Sequence, residues 1–448
     1  MSDGQSTHFV AVIGAGPAGL FAAKRLAEEG TAVFLFNRDI KPGGLAEYGI
    51  YPDKYKMREG LRAQFRQVLT QPGIEYYGNV AIGRGGDMSL ENLRRLGFQA
   101  VLVSCGAQGT KWLGLPGESL KGVYHAKDLV YHYNRLPPYS EVQFNIGRRV
   151  ALIGAGNVML DIAHYLIAVR KVDEVVAVIR RGPAEVKFTK AELEHVVAHL
   201  NREAFEAEMQ RVTPGMLALG QDPLRIRTLV REAMQKAERH NAATRFSFRF
   251  LASPVRMLGD QDGRVNGLEV ERNELVADDG GTKARGTGMH EVLPVDTVIF
   301  AIGDRVDETF GLPVNGNEFV KNPSPCYPVD ELSYEAFDPQ TGSPLEGTFV
   351  AGWSRKASTG LVGLARRDGV NGAQAVLQYL RALEPISRES VDRARVEVLR
   401  LGKRVVTEAD LLVLEAAERA RAAQLGLPEF KFSTNEEMLA AISEVHIP

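Results

Sequence analysis

The chain has 448 residues, of which 44% are hydrophobic and 25% charged, with a formal net charge of −2. Such a composition belongs to a soluble globular protein of two or three domains and excludes a general nucleic-acid binder. No apolar run approaches the length of a membrane span, the polar and acidic start MSDGQSTH reads as neither a signal nor a transit peptide, and the widely separated Cys105 and Cys326 exclude a disulfide framework, a C-x-x-C redox pair and an iron–sulfur cluster held by this chain alone. Each cysteine is expected to be a small buried hydrophobe in a cytoplasmic setting.

Phe9–Ile13 is an apolar run of the kind that forms a buried parallel strand. Gly14, Gly16 and Gly19 follow at G-x-G-x-x-G spacing, with Pro17 and Ala18 between them. A helix follows, with Leu20, Ala23, Leu26 and Ala27 on one face. In such a unit the first glycine permits the tight turn, the second admits a pyrophosphate and the third lets helix and strand pack closely. The helix N-terminus supplies free N–H groups and partial positive charge to the phosphates. Residues 31–36 read as the second strand. Asn37 stands at its end, where this fold places an acid on the ribose, so the polar contact survives without the charge.

Lys41-Pro42-Gly43-Gly44-Leu45 and Tyr48-Gly49-Ile50-Tyr51-Pro52 form a bent, glycine-rich stretch suited to approaching a ligand. Residues 57–70 read as a helix stopped by Pro72-Gly73, and residues 74–80 and 100–103 as strands. Ser104-Cys105-Gly106-Ala107 is a second strand-to-glycine switch, and residues 123–136 read as helical.

The opening pattern then recurs. Residues 148–153 form a strand, Gly154-Ala155-Gly156-Asn157-Val158-Met159 a phosphate turn, and residues 160–166 begin its helix. Met159 fills the third small position, so looser or different helix–strand packing is expected there. The second strand, residues 174–179, ends in Arg180-Arg181, the bidentate and permanently charged donors that a 2′-phosphate needs. Two dinucleotide sites with different ribose chemistry imply electrons passing between two bound nucleotides.

Residues 189–240 read as mostly helical, residues 246–257 and 265–275 as strands, residues 278–288 as a flexible hairpin tip, and residues 294–302 as a buried strand. Gly352-Trp353 ends another strand, and Thr359-Gly360-Leu361-Val362-Gly363 opens a helix to about residue 383. The charged tail, 386–448, is helical by pattern, with a capping box at Thr434 and Glu437. Basic clusters at Arg225, Arg227 and Arg231, or at Arg239 and Arg245, offer docking positions for an acidic protein.

Taken together, GAGPAG (14–19), KPGGL (41–45), YPD (51–53), SCGA (104–107), LPGE (115–118), GAGNVMLD (154–161), RRGPAEVKFTKAEL (180–193), AIGD (301–304), GW (352–353) and STGLVG (358–363) resemble the adrenodoxin reductase-like FAD-containing ferredoxin–NADP reductases, and more distantly the glutamate synthase small subunit. The resemblance spans essentially the whole chain. It implies an α/β fold of two Rossmann-like dinucleotide-binding domains, an FAD domain (1–109 and 306–385) interrupted by an NAD(P) domain (110–305), with a helical tail (386–448) packed on the FAD domain or on a partner.

The resemblance further implies that Gly14, Gly16, Pro17, Ala18, Gly19 and Asn37 hold FAD, with Gly44, Leu45, Gly106, Gly352, Trp353, Gly360, Leu361 and Val362 along it. It implies likewise that Gly156, Asn157 and Val158 hold the nicotinamide nucleotide's pyrophosphate, and that Arg180, Arg181 and Glu192 surround the 2′-phosphate of NADP, NAD being possible. Lys54 stands where the family commonly has His, and His195 where a Glu is expected; with Trp353 these are the catalytic candidates. No metal site is implied. The expected activity is hydride transfer between NAD(P)H and flavin N5 with single electrons passing to ferredoxin or another iron–sulfur protein. Alternatives are a flavoprotein subunit linking NAD(P) to a larger iron–sulfur oxidoreductase, and a nucleotide-binding interaction protein that has lost turnover.

Overall fold

The computed structural model describes residues 6–279, 281–357 and 362–444. The chain divides into two compact units: Met1–Thr110, Tyr131–Glu141 and Asp304–Pro448 form the first, and Lys111–Val130 and Val142–Gly303 the second. The segment Tyr131–Glu141, which the expected boundaries assign to the NAD(P) domain (110–305), groups instead with the first unit. No helix among the described residues is long and apolar enough to cross a membrane.

The first unit is built on a six-stranded sheet in the order Glu335–Asp338, Ser343–Val350, Ala100–Val103, Phe9–Ile13, Ala32–Phe36, Ile74–Tyr77. All pairs are parallel except the first, which is antiparallel. Every residue of Phe9–Ile13 is buried, as a central parallel strand covered on both faces requires. On one face Val10, Val12, Leu20, Leu26, Phe65 and Val376 share a core that extends to Leu411 and Leu414 of the tail helix Glu408–Leu425. On the other, Phe9, Phe34, Phe36 and Phe98 pack edge-to-face and stacked.

The second unit has a five-stranded parallel sheet, ordered Arg245–Phe250, Glu174–Ile179, Arg149–Ile153, Thr297–Phe300, Val123–His125. Beside it lies an antiparallel sheet of Ala252–Gly259, Val265–Asp278 and Gly281–Leu293.

Three expectations need correction. Residues 123–136 do not form one helix: Val123–His125 pair with Thr297–Phe300 as an edge strand, and the helix is Ala126–Tyr133. Residues 246–257 are two strands in different sheets. Leu251 turns the chain at φ 49, held by its N–H on the Arg181 carbonyl (3.1 Å) and by its own carbonyl accepting from Asn273 N (2.8 Å). Residues 278–288 are largely strand, because Asp278 sits opposite Gly281 and Arg285–Glu274 and Lys283–Asp278 ion pairs bridge the ladder.

Candidate functional site

In the first unit the turn after Phe9–Ile13 is shaped by contacts that only glycine admits. Gly14 has φ +100, and a Cβ there would lie 2.6 Å from Cys105 Cα. A Cβ on Gly19 would come within 1.9 Å of the Gly14 carbonyl oxygen. Ser104 braces the turn by donating to the carbonyls of Ile13 (3.0 Å) and Gly14 (3.1 Å). Gly16 differs: it is the N-cap of helix Pro17–Glu28, has extended backbone, and a Cβ there would meet no protein atom within 4 Å. No side chain caps that helix. The N–H groups of Ala18 and Gly19 thus have no side-chain cap at the positive end of the helix dipole, the kind of cradle a diphosphate requires.

The second unit repeats the arrangement. Gly154 turns the chain against the Ala301 carbonyl, Gly156 is an extended N-cap with nothing within 4 Å of a would-be Cβ, and helix Asn157–Tyr165 has no side-chain cap. Asn157 Oδ1 accepts from Thr189 N (2.9 Å), tying the turn to the segment that carries Glu192. Val158 is exposed, whereas Met159 at the third position is completely buried. The helix passes into a π-turn at Leu166–Arg170.

The ends of the two second strands differ as their residues demand. Asn37 is buried and its amide is spent on the protein: Oδ1 accepts from Ala15 N (3.0 Å), and Nδ2 donates to the carbonyls of Asp39 (2.9 Å) and Lys41 (3.0 Å). Both donors are thus committed to shaping the loop beside the phosphate turn. A pocket next to it is lined by Arg38, Asp39, Ile40, Tyr48, Leu136 and Met438. Arg180 and Arg181, by contrast, are exposed, and among the described residues no ion pair or hydrogen bond engages either guanidinium. Their backbone is fixed, with Asn273 Nδ2 donating to the Arg180 carbonyl (3.0 Å).

The glycine-rich stretch lies against the first turn. Gly43 N donates to the Ala15 carbonyl (2.7 Å), and a Cβ on Gly44, at φ +51, would be 3.3 Å from Gly16 Cα. Leu45 begins the short helix Leu45–Tyr48. Lys54 ends the one-turn helix Pro52–Lys54, and the preceding carbonyls of Ile50, Tyr51 and Pro52 all accept from the buried Arg58 guanidinium.

Gly106, at φ +77, donates its N–H to Ser354 Oγ (3.0 Å). Gly352, at φ +64, donates to Asp368 Oδ2 (2.6 Å), which fixes the turn carrying the half-buried Trp353. Asp368 also holds Arg355 and accepts from Tyr334 OH (3.1 Å). Val362 opens the helix Val362–Leu380. Gly360 and Leu361 lie outside the described residues.

Two groups were not apparent from the sequence. Asp368 sits in a helix, and only the fold shows that it grips the Gly352 turn. The other is a buried ionic cluster around Glu47. Lys41 Nζ lies 3.2 Å from Glu47 and 2.6 Å from Glu418, Lys431 Nζ 3.1 Å from Glu47, and Arg62 2.5 Å from Glu47 and 2.9 Å from Glu429. Arg58 also pairs with Glu429. Burial alone would raise the Glu47 carboxyl, but Lys41, Lys431 and Arg62 hold it well below the usual carboxylate range. Burial lowers the Lys431 ammonium to about 8 despite Glu47.

His195 belongs to the second unit, where its Nδ1 donates to Glu238 (2.7 Å). Cys105 is half-buried and Cys326 exposed, so the expected burial fails for Cys326; both are unpaired.

Residues 8–324 match the family model described as pyridine nucleotide-disulphide oxidoreductase. The chain is 28% identical over 468 residues to the NADPH-ferredoxin reductase FprA of Mycobacterium leprae (strain TN), covering 96% of this chain and 98% of that one. It is 29% identical to the mitochondrial NADPH:adrenodoxin oxidoreductase of Salvelinus fontinalis, covering 96% and 90%. The solved structure of Mycobacterium tuberculosis FprA in complex with NADPH matches with a TM-score of 0.80 at 26% identity, over 98% of this chain and 100% of that one.

Proposed function

Since this chain belongs to the pyridine nucleotide-disulphide oxidoreductase family, we propose that it is an FAD-dependent reductase that moves electrons between NADPH and an iron–sulfur protein of the ferredoxin class. The observation that carries the reading is the pair of like-built phosphate turns whose second strands end differently, one in a committed amide at Asn37 and the other in two unengaged guanidinia at Arg180 and Arg181.

FAD, when bound, supplies hydride exchange with a nicotinamide and one-electron exchange with the partner. The chain's residues do the holding. The uncapped N–H groups after Gly16 bind the flavin nucleotide's diphosphate, and Gly14 and Gly44 let backbone approach it. Asp368 fixes the Gly352 turn and so the position of Trp353. The N–H groups after Gly156 take the second diphosphate, and Arg180 and Arg181 clasp a 2′-phosphate with bidentate, charge-assisted hydrogen bonds. The cysteines are unpaired and far apart in sequence, so this reading uses no dithiol relay, and a cytoplasmic setting suits them.

The test follows NADPH-driven reduction of a [2Fe–2S] ferredoxin and, separately, of an artificial dye. Both should proceed, and reversing the exposed Arg225 and Arg231 to Glu should slow the ferredoxin reaction alone. Dye reduction without ferredoxin reduction by the wild-type protein would contradict the assigned partner class. Equal loss of both reactions in the variant would remove those arginines from docking. Co-purification of further subunits would favour a role inside a larger iron–sulfur oxidoreductase.

A further inference from the structure

The chain has nine histidines. Four of them, His195, His164, His240 and His199, form one row in the second unit. His164 stacks on His195 with ring centroids 5.0 Å apart and planes 8° from parallel. His240 lies 4.8 Å from His164, and His199 stacks on His240 at 5.8 Å. Such rings gain little from packing alone, since each polar nitrogen must find a partner once water is excluded.

The row is assembled from segments distant in sequence. His164 is buried in the last turn of helix Asn157–Tyr165, the helix that begins at the second phosphate turn. His195 caps the short helix Lys190–Glu194. Glu238 follows the helix Leu224–Met234 and accepts from His195 Nδ1 at 2.7 Å. One ligating atom each from His164, His195 and Glu238 lie within 4.8 Å of one another. The supports are also arranged: His240 Nε2 donates to the His195 carbonyl (2.9 Å), and His199 Nδ1 donates to the Thr244 carbonyl (3.2 Å).

We propose that His164, His195 and Glu238 form a binding site for a divalent transition-metal ion of the zinc class. Two imidazoles and one carboxylate are a donor set for zinc, cobalt or nickel rather than for magnesium or calcium, which take oxygen ligands. The ion occupies the position of the proton shared by His195 and Glu238, the imidazole keeping its other N–H, and water completes the shell. The hydrogen bond on the His195 backbone and the ring of His240 set the orientation of the ligands. Metal bound here joins the nucleotide helix, the segment carrying Glu192 and the chain after Leu224–Met234, so it stiffens the elements that present Asn157 and Glu192.

The experiment uses the untagged, full-length holoprotein after treatment with chelator. Zinc chloride is titrated calorimetrically, and cobalt(II) is followed by its ligand-field absorption beyond the flavin bands. The result expected is one ion per chain in both measurements. Glu238→Gln, at an exposed carboxylate, and His195→Asn should each weaken binding by about 100-fold. His290→Asn, which breaks the separate His290–Glu269 pair (2.8 Å), should leave binding unchanged. Absence of a stoichiometric site in the wild type overturns the proposal. So does binding that survives both Glu238→Gln and His195→Asn, or that is lost in His290→Asn. Circular dichroism of each variant confirms that lost binding is not lost folding.

Discussion

Lys41 places its ammonium 2.6 Å from the Glu418 carboxylate, joining the loop beside the first phosphate turn to a helix 377 residues further along the chain. Both side chains are almost fully buried. Removing one partner of such a pair strands the other charge, at a cost of about 3–5 kcal/mol. Lys41→Met and Glu418→Gln should each lower the urea midpoint and speed release of flavin. The double replacement Lys41→Met with Glu418→Leu should recover much of the lost stability, because no charge is then left unpaired. Equilibrium unfolding and flavin fluorescence measure both effects.

Lys431 gives the same cluster a pH signature. Its ammonium is lowered by burial from 10.5 to about 8. In that window the unfolded chain binds a proton that the folded chain does not, so this group's contribution to stability rises with pH between about 8 and 10.5. Wild type and Lys431→Met should therefore differ in slope across that range, the wild type gaining stability relative to the variant. Parallel slopes from urea unfolding would show that Lys431 titrates normally. On the acid side, Glu47 and Glu429 are held below 4.5, so their stabilisation is present above that value and is lost as pH falls through their folded pKa values.

The two glycines of the first turn should respond differently to an added methyl group. Gly19→Ala forces a Cβ to within 1.9 Å of the Gly14 oxygen and should destabilise the apoprotein by about 3 kcal/mol or more. Gly16→Ala meets no protein atom, so the apoprotein should lose less than about 1 kcal/mol. Because that open space is where the diphosphate is proposed to lie, Gly16→Ala should nonetheless weaken FAD retention. Thermal unfolding of the apoprotein, set beside FAD titration, separates the two outcomes.

Arg180→Ala and Arg181→Ala remove guanidinia that support no other contact among the described residues. Stability should hold. The KM for NADPH should rise by about 10- to 100-fold, with kcat and the NADH kinetics little changed. An equal rise with NADH would place these arginines on a phosphate common to both nucleotides.

The two phosphate turns were legible in the sequence because each is local. A continuous apolar strand, glycines at fixed spacing and a helix follow within a few residues, and Gly14 and Gly19 are where backbone crowding excludes a side chain. The capping box was legible for the same reason: Glu437 N donates to Thr434 Oγ1 (3.1 Å) as the pattern requires. Asn37 was legible by position but not by role, since a sequence does not show that Asp39 and Lys41 take both of its amide hydrogens. The Glu47 cluster was hidden because Lys41, Glu418 and Lys431 resemble ordinary surface charges until the tail folds over the loop. The histidine row was hidden likewise, its members spread from His164 to His240 on segments far apart in sequence. The break at Leu251 escaped notice because two apolar strands in different sheets share one continuous hydrophobic pattern.

The most direct measurement is anaerobic stopped-flow reduction of the purified protein by NADPH and by NADH. The account predicts a yellow protein whose flavin is bleached by NADPH at least about tenfold more efficiently than by NADH, the discrimination that a charged 2′-phosphate contact supplies. A folded but colourless protein, or a flavin that NADPH leaves oxidised, would contradict it.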